Sequence, residues 1–395
     1  MQRNSYRSKI WGEVPYLCRG MNSLSLDKKF LSLAIVTLIS LYLVILAGSV
    51  VRATGSGMGC PDWPKCFGYY IPPTDPSQVE FHENHFYKKD MMIIVSDSLY
   101  FWVDQDPLHQ LPTGKIFGGV RDTLWRAKAD FTSGKTFDRA NWEKYPVHDY
   151  AKFFVQQTWT EYINRLLGAL SGFFTFILLA LSVFRWKRDK LTIVLLAFGI
   201  FVLAFIGWMG KVVVDNNLKP AMITFHMLSA IVMVSIIIFT QWRVRVHAGL
   251  AQSSVVGKNL RMILFLAIGI TLVQIIFGSQ VRQQIDTINH NMSGLSRETW
   301  ISQLTGIYPI HQIMAVIVLL VNGYLFFSLN KIITEKKTKR LLYGILLVML
   351  AEYGVGVFIH NFGIPAFAQP MHLLLAMILF GIQFGLVVRT KKEKG

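Results

Sequence analysis

The chain has 395 residues, of which 52% are hydrophobic, 13% aromatic and only 16% charged. This is too little polar side chain to cover a soluble globule of that size, so the composition predicts an integral membrane protein. The formal net charge of +17 does not indicate a nucleic-acid-binding protein, because about 23 of the 40 Lys and Arg residues lie in short segments flanking one side of the apolar stretches.

Eight apolar stretches are long enough to cross a bilayer, which takes roughly 20 residues per helix. Because lipid cannot satisfy backbone polar groups, each stretch is predicted to be a helix. The first lies too deep in the chain and is too long for a signal peptide, so it is predicted to stay in the protein. The predicted spans are Phe30–Val51, about Thr158–Phe184, Leu191–Gly210, Pro220–Trp242, Met262–Val281, Ile301–Leu329, Leu341–Ile359 and Ile364–Val388.

The distribution of basic residues predicts the orientation. The two terminal segments and the short connections on their side carry about 23 Lys and Arg residues, whereas the short connections on the opposite side carry four. Basic residues stay on the cytoplasmic side, so both termini are predicted to face the cytoplasm. The long segment 52–157 is then external, and it contains Cys60 and Cys66, for which an oxidising compartment would allow a disulfide.

An internal repeat predicts two tandem four-helix bundles, residues 30–243 and 258–390, related by a pseudo-two-fold axis along the membrane normal. A basic cytoplasmic segment, residues 1–29, precedes them, and the sequence leaves a start at Met1 or at Met21 open. Chance similarity of apolar segments is the alternative to a repeat. The matching positions are Gly48-Ser-Val-Val-Arg52 with Gly278-Ser-Gln-Val-Arg282, the pair Gly210 and His226 with Gly356 and His372, and Asn164 with His311.

Three histidines inside the predicted spans, His226, His311 and His372, are candidate haem ligands. Each lies about seven to ten residues from the external end of its span, on the order of 10 to 15 Å deep. Imidazole is a suitable axial ligand for haem iron, and two histidines on facing helices can hold the ring from both sides. His311 and His372 belong to one predicted unit and are expected to pair. For each histidine, the alternative is a hydrogen bond to a neighbouring helix.

Asn164 stands at the repeat position of His311, so the first unit offers His226 no histidine partner. Asparagine is a poor iron ligand, and this unit is expected to hold a porphyrin more loosely or with an open axial position.

The motif Glu161-Tyr-Ile-Asn-Arg165 places Glu161 and Arg165 on one helical face, where a simple ion pair is one interpretation. The functional interpretation places Glu161 against a reacting substrate and Arg165 at haem propionates, which suit the fork of a guanidinium group. Arg52 and Arg282, at equivalent helix ends, are further propionate candidates, with snorkelling interfacial arginines as the alternative. Glu352 in the seventh span has no repeat counterpart, and the sequence gives it no role.

The segment Gly55-Ser-Gly-Met-Gly-Cys60-Pro-Asp-Trp-Pro-Lys-Cys66 resembles the haem A synthase family. The Glu161–Arg165 motif and the three helix histidines resemble it as well, and the similarity extends over all eight spans. The resemblance implies an enzyme of the bacterial cytoplasmic (inner) membrane. That enzyme would oxidise a methyl group of haem O to the formyl group of haem A, for cytochrome oxidase assembly.

The resemblance also implies roles for single residues. In that family the C-terminal unit holds a haem b cofactor between two histidines, which match His311 and His372. The N-terminal unit is the site of the substrate haem O, with His226 and the acidic residue Glu161, and the cysteine pair of the first external loop can form a disulfide. The sequence departs from the family at Asn164, where a histidine is usual, and in an enlarged loop at about residues 71–150, which suggests an extracytoplasmic cap.

Implied partners are haem O, haem O synthase, an electron acceptor such as a quinone, and the lipid bilayer, while a homo-oligomer is compatible with the sequence. Two other functions compete with the enzyme. A non-catalytic membrane cytochrome b in quinol-linked electron transfer would use the same haem ligands but would not need Glu161. A haem carrier would transfer haem without changing the ring.

Overall fold

Eight long helices dominate the computed structural model of the chain, which describes residues 23–103, 115–145, 152–215, 220–291 and 297–392. Each is long and apolar enough to cross a membrane, so the protein is a multi-pass membrane protein, as predicted. The shortest has 22 residues and the longest 34. Helices α1 to α8 are Ser23–Ala53, Val155–Val183, Lys190–Asp215, Pro220–His247, Lys258–Asn291, Ile307–Ile332, Lys336–Asn361 and Ala368–Arg389.

Two helices begin later than the apolar stretches predict, because the backbone turns before them. The sixth stretch starts at Ile301, but Gly306 adopts a φ of 61° immediately before α6, a conformation that glycine reaches without steric cost. The eighth stretch starts at Ile364, whose φ is 58°, and Pro365 follows it. Proline disfavours helix at the residue before it, so α8 begins only at Ala368.

One compact unit consists of the described parts of Met1–Ser49, Leu166–Met209 and Pro220–Gly395. It contains one apolar cluster built from α1 to α4 and another built mainly from α5 to α8. A smaller cluster combines residues of α4, α5 and α8. The first cluster includes Phe30, Leu178, Leu196 and Met233, one from each helix, and the second includes Leu264, Leu325, Leu342 and Leu386.

The other compact unit consists of the described parts of Val50–Arg165 and Gly210–Lys219. Strands β2, β3 and β5 form an antiparallel sheet in the order β2-β3-β5, and β1 pairs with β4. The buried side chains of Tyr87 and Trp142 pack edge to face between these strands. The sequence analysis predicted a cap but no sheet here, although Met92-Ile-Ile-Val is a β-favouring run. Strands β1 to β5 are Phe86–Tyr87, Met92–Val103, Lys115–Ala127, Phe131–Thr132 and Trp142–Lys144.

In the first unit, two short strands lie at the ends of long helices. Strand β6, Ser254–Val256, precedes α5, and β7, Thr390–Lys392, follows α8. The two strands pair in parallel. This pairing ties the connection between the two predicted repeats to the C-terminal end of the described chain.

Candidate functional site

The two histidines predicted to share one haem come together in the structure. His311 is the fifth residue of α6 and His372 the fifth residue of α8. Their ring centroids lie 6.3 Å apart and their planes are 83° from each other. Two imidazoles on opposite sides of one metal have centroids roughly 6 Å apart, because each metal–nitrogen bond is about 2 Å and each centroid lies about 1 Å beyond its nitrogen. The spacing of the rings therefore fits ligation of a haem iron.

Each ring also rests against a glycine of a neighbouring helix. A Cβ atom built on Gly278 of α5 would lie 3.2 Å from Cε1 of His311. One built on Gly356 of α7 would lie 3.2 Å from Cε1 of His372. Any larger side chain would press on the imidazole, so these two glycines allow the close approach of helix and ring.

One helical turn before each glycine lies a polar residue that the sequence analysis did not connect with the histidines. Gln274 Nε2 donates a hydrogen bond of 3.0 Å to the backbone carbonyl of His311. Glu352 Oε1 lies 3.1 Å from Nδ1 of His372. The signal was present in the sequence, because residues four apart share a helical face and both polar residues precede a glycine by four positions.

Two buried polar atoms mark the proposed substrate residues. Nδ1 of His226 on α4 and Oδ1 of Asn164 on α2 have no hydrogen-bond partner within the described part of the chain. An unsatisfied buried polar group costs about 1–3 kcal/mol. Both atoms are therefore suited to a polar ligand. Asn164 belongs to the second compact unit and His226 to the first.

Glu161 lies in the second compact unit and is held by the loop that follows α1. Its side chain is 6% exposed, and its Oε2 accepts a 3.0 Å hydrogen bond from the backbone N–H of Cys60. Cys60 forms a disulfide with Cys66, as the sequence allowed. One turn before Glu161, the Thr158 hydroxyl donates to the Gly59 carbonyl at 2.8 Å. The disulfide loop therefore packs directly on the helix that carries the carboxylate.

Arg165 links Glu161 to the same loop. Its Nη2 lies 2.5 Å from Glu161 Oε1, so the ion pair that the sequence allowed is present. Its Nη1 donates to the backbone carbonyls of Asp62 and Lys65 at 2.8 and 3.0 Å. The guanidinium group thus binds both the loop and Glu161. Its predicted contact with a propionate stays a prediction.

Asp62 adds a second buried carboxyl to this loop. Its Oδ2 accepts a hydrogen bond of 3.0 Å from the Gly68 N–H. Burial raises the pKa of Asp62 above its ordinary value, although the N–H groups of Gly68 and Phe67 and the charge of Arg165 oppose the rise. Asp62 therefore ionises less readily than an exposed aspartate. No motif in the sequence pointed to Asp62.

The two other predicted propionate ligands lie at helix ends. Arg52 is partly buried in the last turn of α1. Arg282 on α5 pairs with Asp286 one turn later at 2.7 Å and donates a hydrogen bond to the side chain of Gln369. The role of Arg52 and Arg282 at haem propionates therefore stays a prediction.

Most of the chain matches the sequence model of one protein family. The sequence model of the COX15-CtaA family, described as cytochrome oxidase assembly protein, matches residues 32–103 and 136–384. These two segments cover more than half of the chain and contain every residue named in this subsection. A protein named Heme A synthase from Shewanella oneidensis is 38% identical over 56 residues, which is 14% of this chain. The aligned part spans only 17% of that relative.

Proposed function

The chain belongs to the COX15-CtaA family of cytochrome oxidase assembly proteins, and from this premise we propose that it is a haem A synthase. In this proposal the protein is an oxidoreductase that converts a methyl group of haem O to the formyl group of haem A. The conversion takes two successive two-electron oxidations at one carbon. The observation that carries the proposal is a buried carboxylate, Glu161, clamped by a disulfide loop in a chain whose His311 and His372 fit a haem iron.

His311 and His372 hold haem b in this proposal. When bound, haem b would supply one-electron chemistry, for which a quinone is a suitable acceptor. The two histidines would hold its iron, because each is the fifth residue of its helix and their ring centroids lie 6.3 Å apart. Arg282 is the propionate candidate of this unit.

The substrate residues belong to the other half of the chain. His226 and Asn164 contribute the unsatisfied atoms described above, and a single strong iron ligand suits a haem that must enter and leave. Arg52 and Arg165 are the candidates for the substrate propionates. Glu161 either stabilises positive charge that develops at the methyl carbon or orients a water molecule, and a buried carboxylate suits both roles.

The proposal includes a duplicated architecture. The N-terminal unit, residues 30–243, takes the substrate haem, and the C-terminal unit, residues 258–390, holds haem b. In support, one apolar cluster draws only on α1 to α4, and another draws on α5 to α8 with a residue of β6. The membrane is the bacterial cytoplasmic membrane, with both termini in the cytoplasm and segment 52–157 outside.

The experiment is co-expression with a haem O synthase in cells that otherwise make no haem A. Chromatography of the extracted haem is expected to show haem A or the hydroxylated product. Glu161→Gln is expected to lower the yield about a hundredfold while leaving haem b bound, since losing a transition-state charge contact costs about 2.7–4 kcal/mol. Glu83→Gln makes the same change at an exposed glutamate of the same compact unit and should keep the yield. Haem O without any oxidised product in the wild type would refute the enzyme.

The second candidate is a non-catalytic cytochrome b in quinol-linked electron transfer. The His311–His372 pair by itself favours it, because such a carrier needs only the haem ligands. The Glu161→Gln variant separates the two functions. A pure electron carrier keeps its rate of quinol-dependent haem reduction and never forms haem A.

A further inference from the structure

Glu352 and Gly356 of α7 meet the ring of His372 on two successive helical turns. Glu352 Oε1 lies 3.1 Å from Nδ1, and the backbone at Gly356 approaches Cε1. Nε2 is thus the ring nitrogen that is left to bind iron. The Glu352 side chain is 16% exposed, and its other oxygen, Oε2, has no hydrogen-bond partner among the described residues. A carboxylate so deep in an apolar helix is costly and is by default a functional candidate.

The second ligand has a different environment. On α5, Gln274 and Gly278 stand in the same relation to His311, but Gln274 is neutral and bonds the backbone carbonyl instead of the ring. Within the described ranges, Nδ1 makes no hydrogen bond in either histidine, but Nδ1 of His372 has the Glu352 carboxylate 3.1 Å away. Of the two proposed axial ligands in the described part of the chain, His372 is therefore the one with a negative charge beside its Nδ1.

We propose that Glu352 is a positioning residue for haem b, which orients the His372 ring through Nδ1 and strengthens Nε2 as an iron ligand. The inference rests on the haem b site of the proposed function. A histidine whose second nitrogen donates to a carboxylate is fixed in one tautomer and becomes a more basic ligand. A stronger ligand and a nearby negative charge both favour ferric over ferrous iron, so Glu352 lowers the reduction potential of haem b.

A lower potential would make a bound haem b give up its electron more readily and take one up less readily. The charge of Glu352 acts in an apolar helix bundle, where electrostatic interactions are stronger than in water. The neutral Gln274 leaves the His311 side without this effect.

The test is a potentiometric titration of haem b in the purified full-length protein, with dithionite as the reductant and ferricyanide as the oxidant. Glu352→Gln keeps the shape and removes the charge, and we expect it to favour the reduced haem tenfold or more. For a one-electron couple, tenfold is about 59 mV. Glu352→Asp keeps the charge but withdraws it by one methylene, so its potential should fall between the two. Glu335→Gln, the same change at the N-cap of α7, should leave the potential unchanged.

The outcomes separate the inference from the proposed function. If the wild type binds no haem b, both fail together. If it binds haem b with a six-coordinate low-spin spectrum that His372→Ala loses, the site stands, and an unchanged potential in Glu352→Gln then overturns the inference alone. The inference is also overturned if both Glu352 variants have the unfolding temperature of the wild type yet bind no haem. Glu352 would then only shape the pocket. Should the Gln variant fail to fold, the Asp variant decides: a potential above that of the wild type supports the inference, and an unchanged potential overturns it.

Discussion

At the scale of single residues, the candidate site depends on polar groups that satisfy each other inside an apolar protein. Glu161 takes one hydrogen bond from the backbone of Cys60 and one charge contact from Arg165. Arg165 in turn binds the carbonyls of Asp62 and Lys65. Removing one member leaves the others buried and unsatisfied, which costs more than the interaction itself contributed.

Arg165→Lys is expected to lower the yield of oxidised haem about tenfold or more. Lysine keeps the charge, but its single ammonium cannot reach the two loop carbonyls and Glu161 together, and one lost charge-assisted hydrogen bond is worth about 1.5–3 kcal/mol. The yield is measured by chromatography of extracted haem. Arg139→Lys, at an exposed position of the same unit, is the control. A full yield from Arg165→Lys would show that the charge alone suffices.

Gly356→Ala is expected to weaken haem b binding several-fold. The new Cβ would lie 3.2 Å from Cε1 of His372, so the ring must give way by a few tenths of an ångström. Gly354→Ala is a matched control on the same helix, because a Cβ there meets nothing within 4 Å. Both variants gain similar helix propensity, about 1 kcal/mol, so the difference reports the contact. Haem content and the low-spin spectrum of the purified variants are measured, and equal spectra would contradict the prediction.

At the scale of elements, the helix ends are fixed by acidic residues that the apolar pattern does not reveal. Asp189 directly precedes α3, where its Oδ1 accepts a hydrogen bond from the Thr192 N–H at 3.2 Å. The same carboxylate binds Arg243 at 2.6 Å and lies 3.1 Å from Nδ1 of His247, both near the end of α4. One buried carboxylate therefore caps one helix and joins it to the next.

Asp189→Asn is expected to lower stability at neutral pH by about 1.5–3 kcal/mol, the worth of a hydrogen bond to a charged group. Burial alone would raise the pKa of Asp189, but hydrogen bonds from Arg243 and Thr192 bring it below its ordinary value. A carboxyl group whose pKa is lower in the folded protein stabilises the fold at pH values above its unfolded pKa of about 3.9. This stability is lost as the pH falls through the folded pKa.

The difference in stability between the wild type and Asp189→Asn should therefore be constant above about pH 5 and become smaller below roughly pH 4. Thermal unfolding in detergent across this range measures it. Asp138→Asn is the control, because Asp138 is an exposed cap and asparagine caps equally well. A gap that widens in acid would mean that Asp189 is not held in its charged form.

At the scale of the whole molecule, membrane orientation is the feature that the charges predict and the fold by itself does not test. Basic residues concentrate in the terminal segments and in three short connections. A fluorescent protein fused after Gly395 is expected to fluoresce, since it folds in the cytoplasm, while alkaline phosphatase fused there stays inactive. The same two reporters inserted after Pro73 should give the reverse result. If both positions gave the same active reporter, the predicted topology would be refuted.

The sequence predicted the eight helices because length and hydropathy alone decide whether a segment crosses a bilayer. It placed His311 and His372 on them and the cysteine pair in the first loop, and a disulfide was allowed there. It missed the starts of α6 and α8, where Gly306 and Ile364 turn the backbone. It also missed the sheet of the second unit, whose strands pair through contacts distant in sequence.

Only the tertiary structure decided which side chains meet. Cys60 reaches Glu161 across 101 residues, and Glu352 reaches His372 between two helices. Every span is apolar enough on all its faces to lie against lipid, so hydropathy does not show which faces pack together. Small residues and polar pairs between helices decide the packing. The sequence alone thus predicted a haem-binding membrane protein of eight helices, while the packing determined that Glu161 is clamped by the disulfide loop. Of the two proposed axial histidines, His372 and not His311 has a carboxylate at its ring within the described part of the chain.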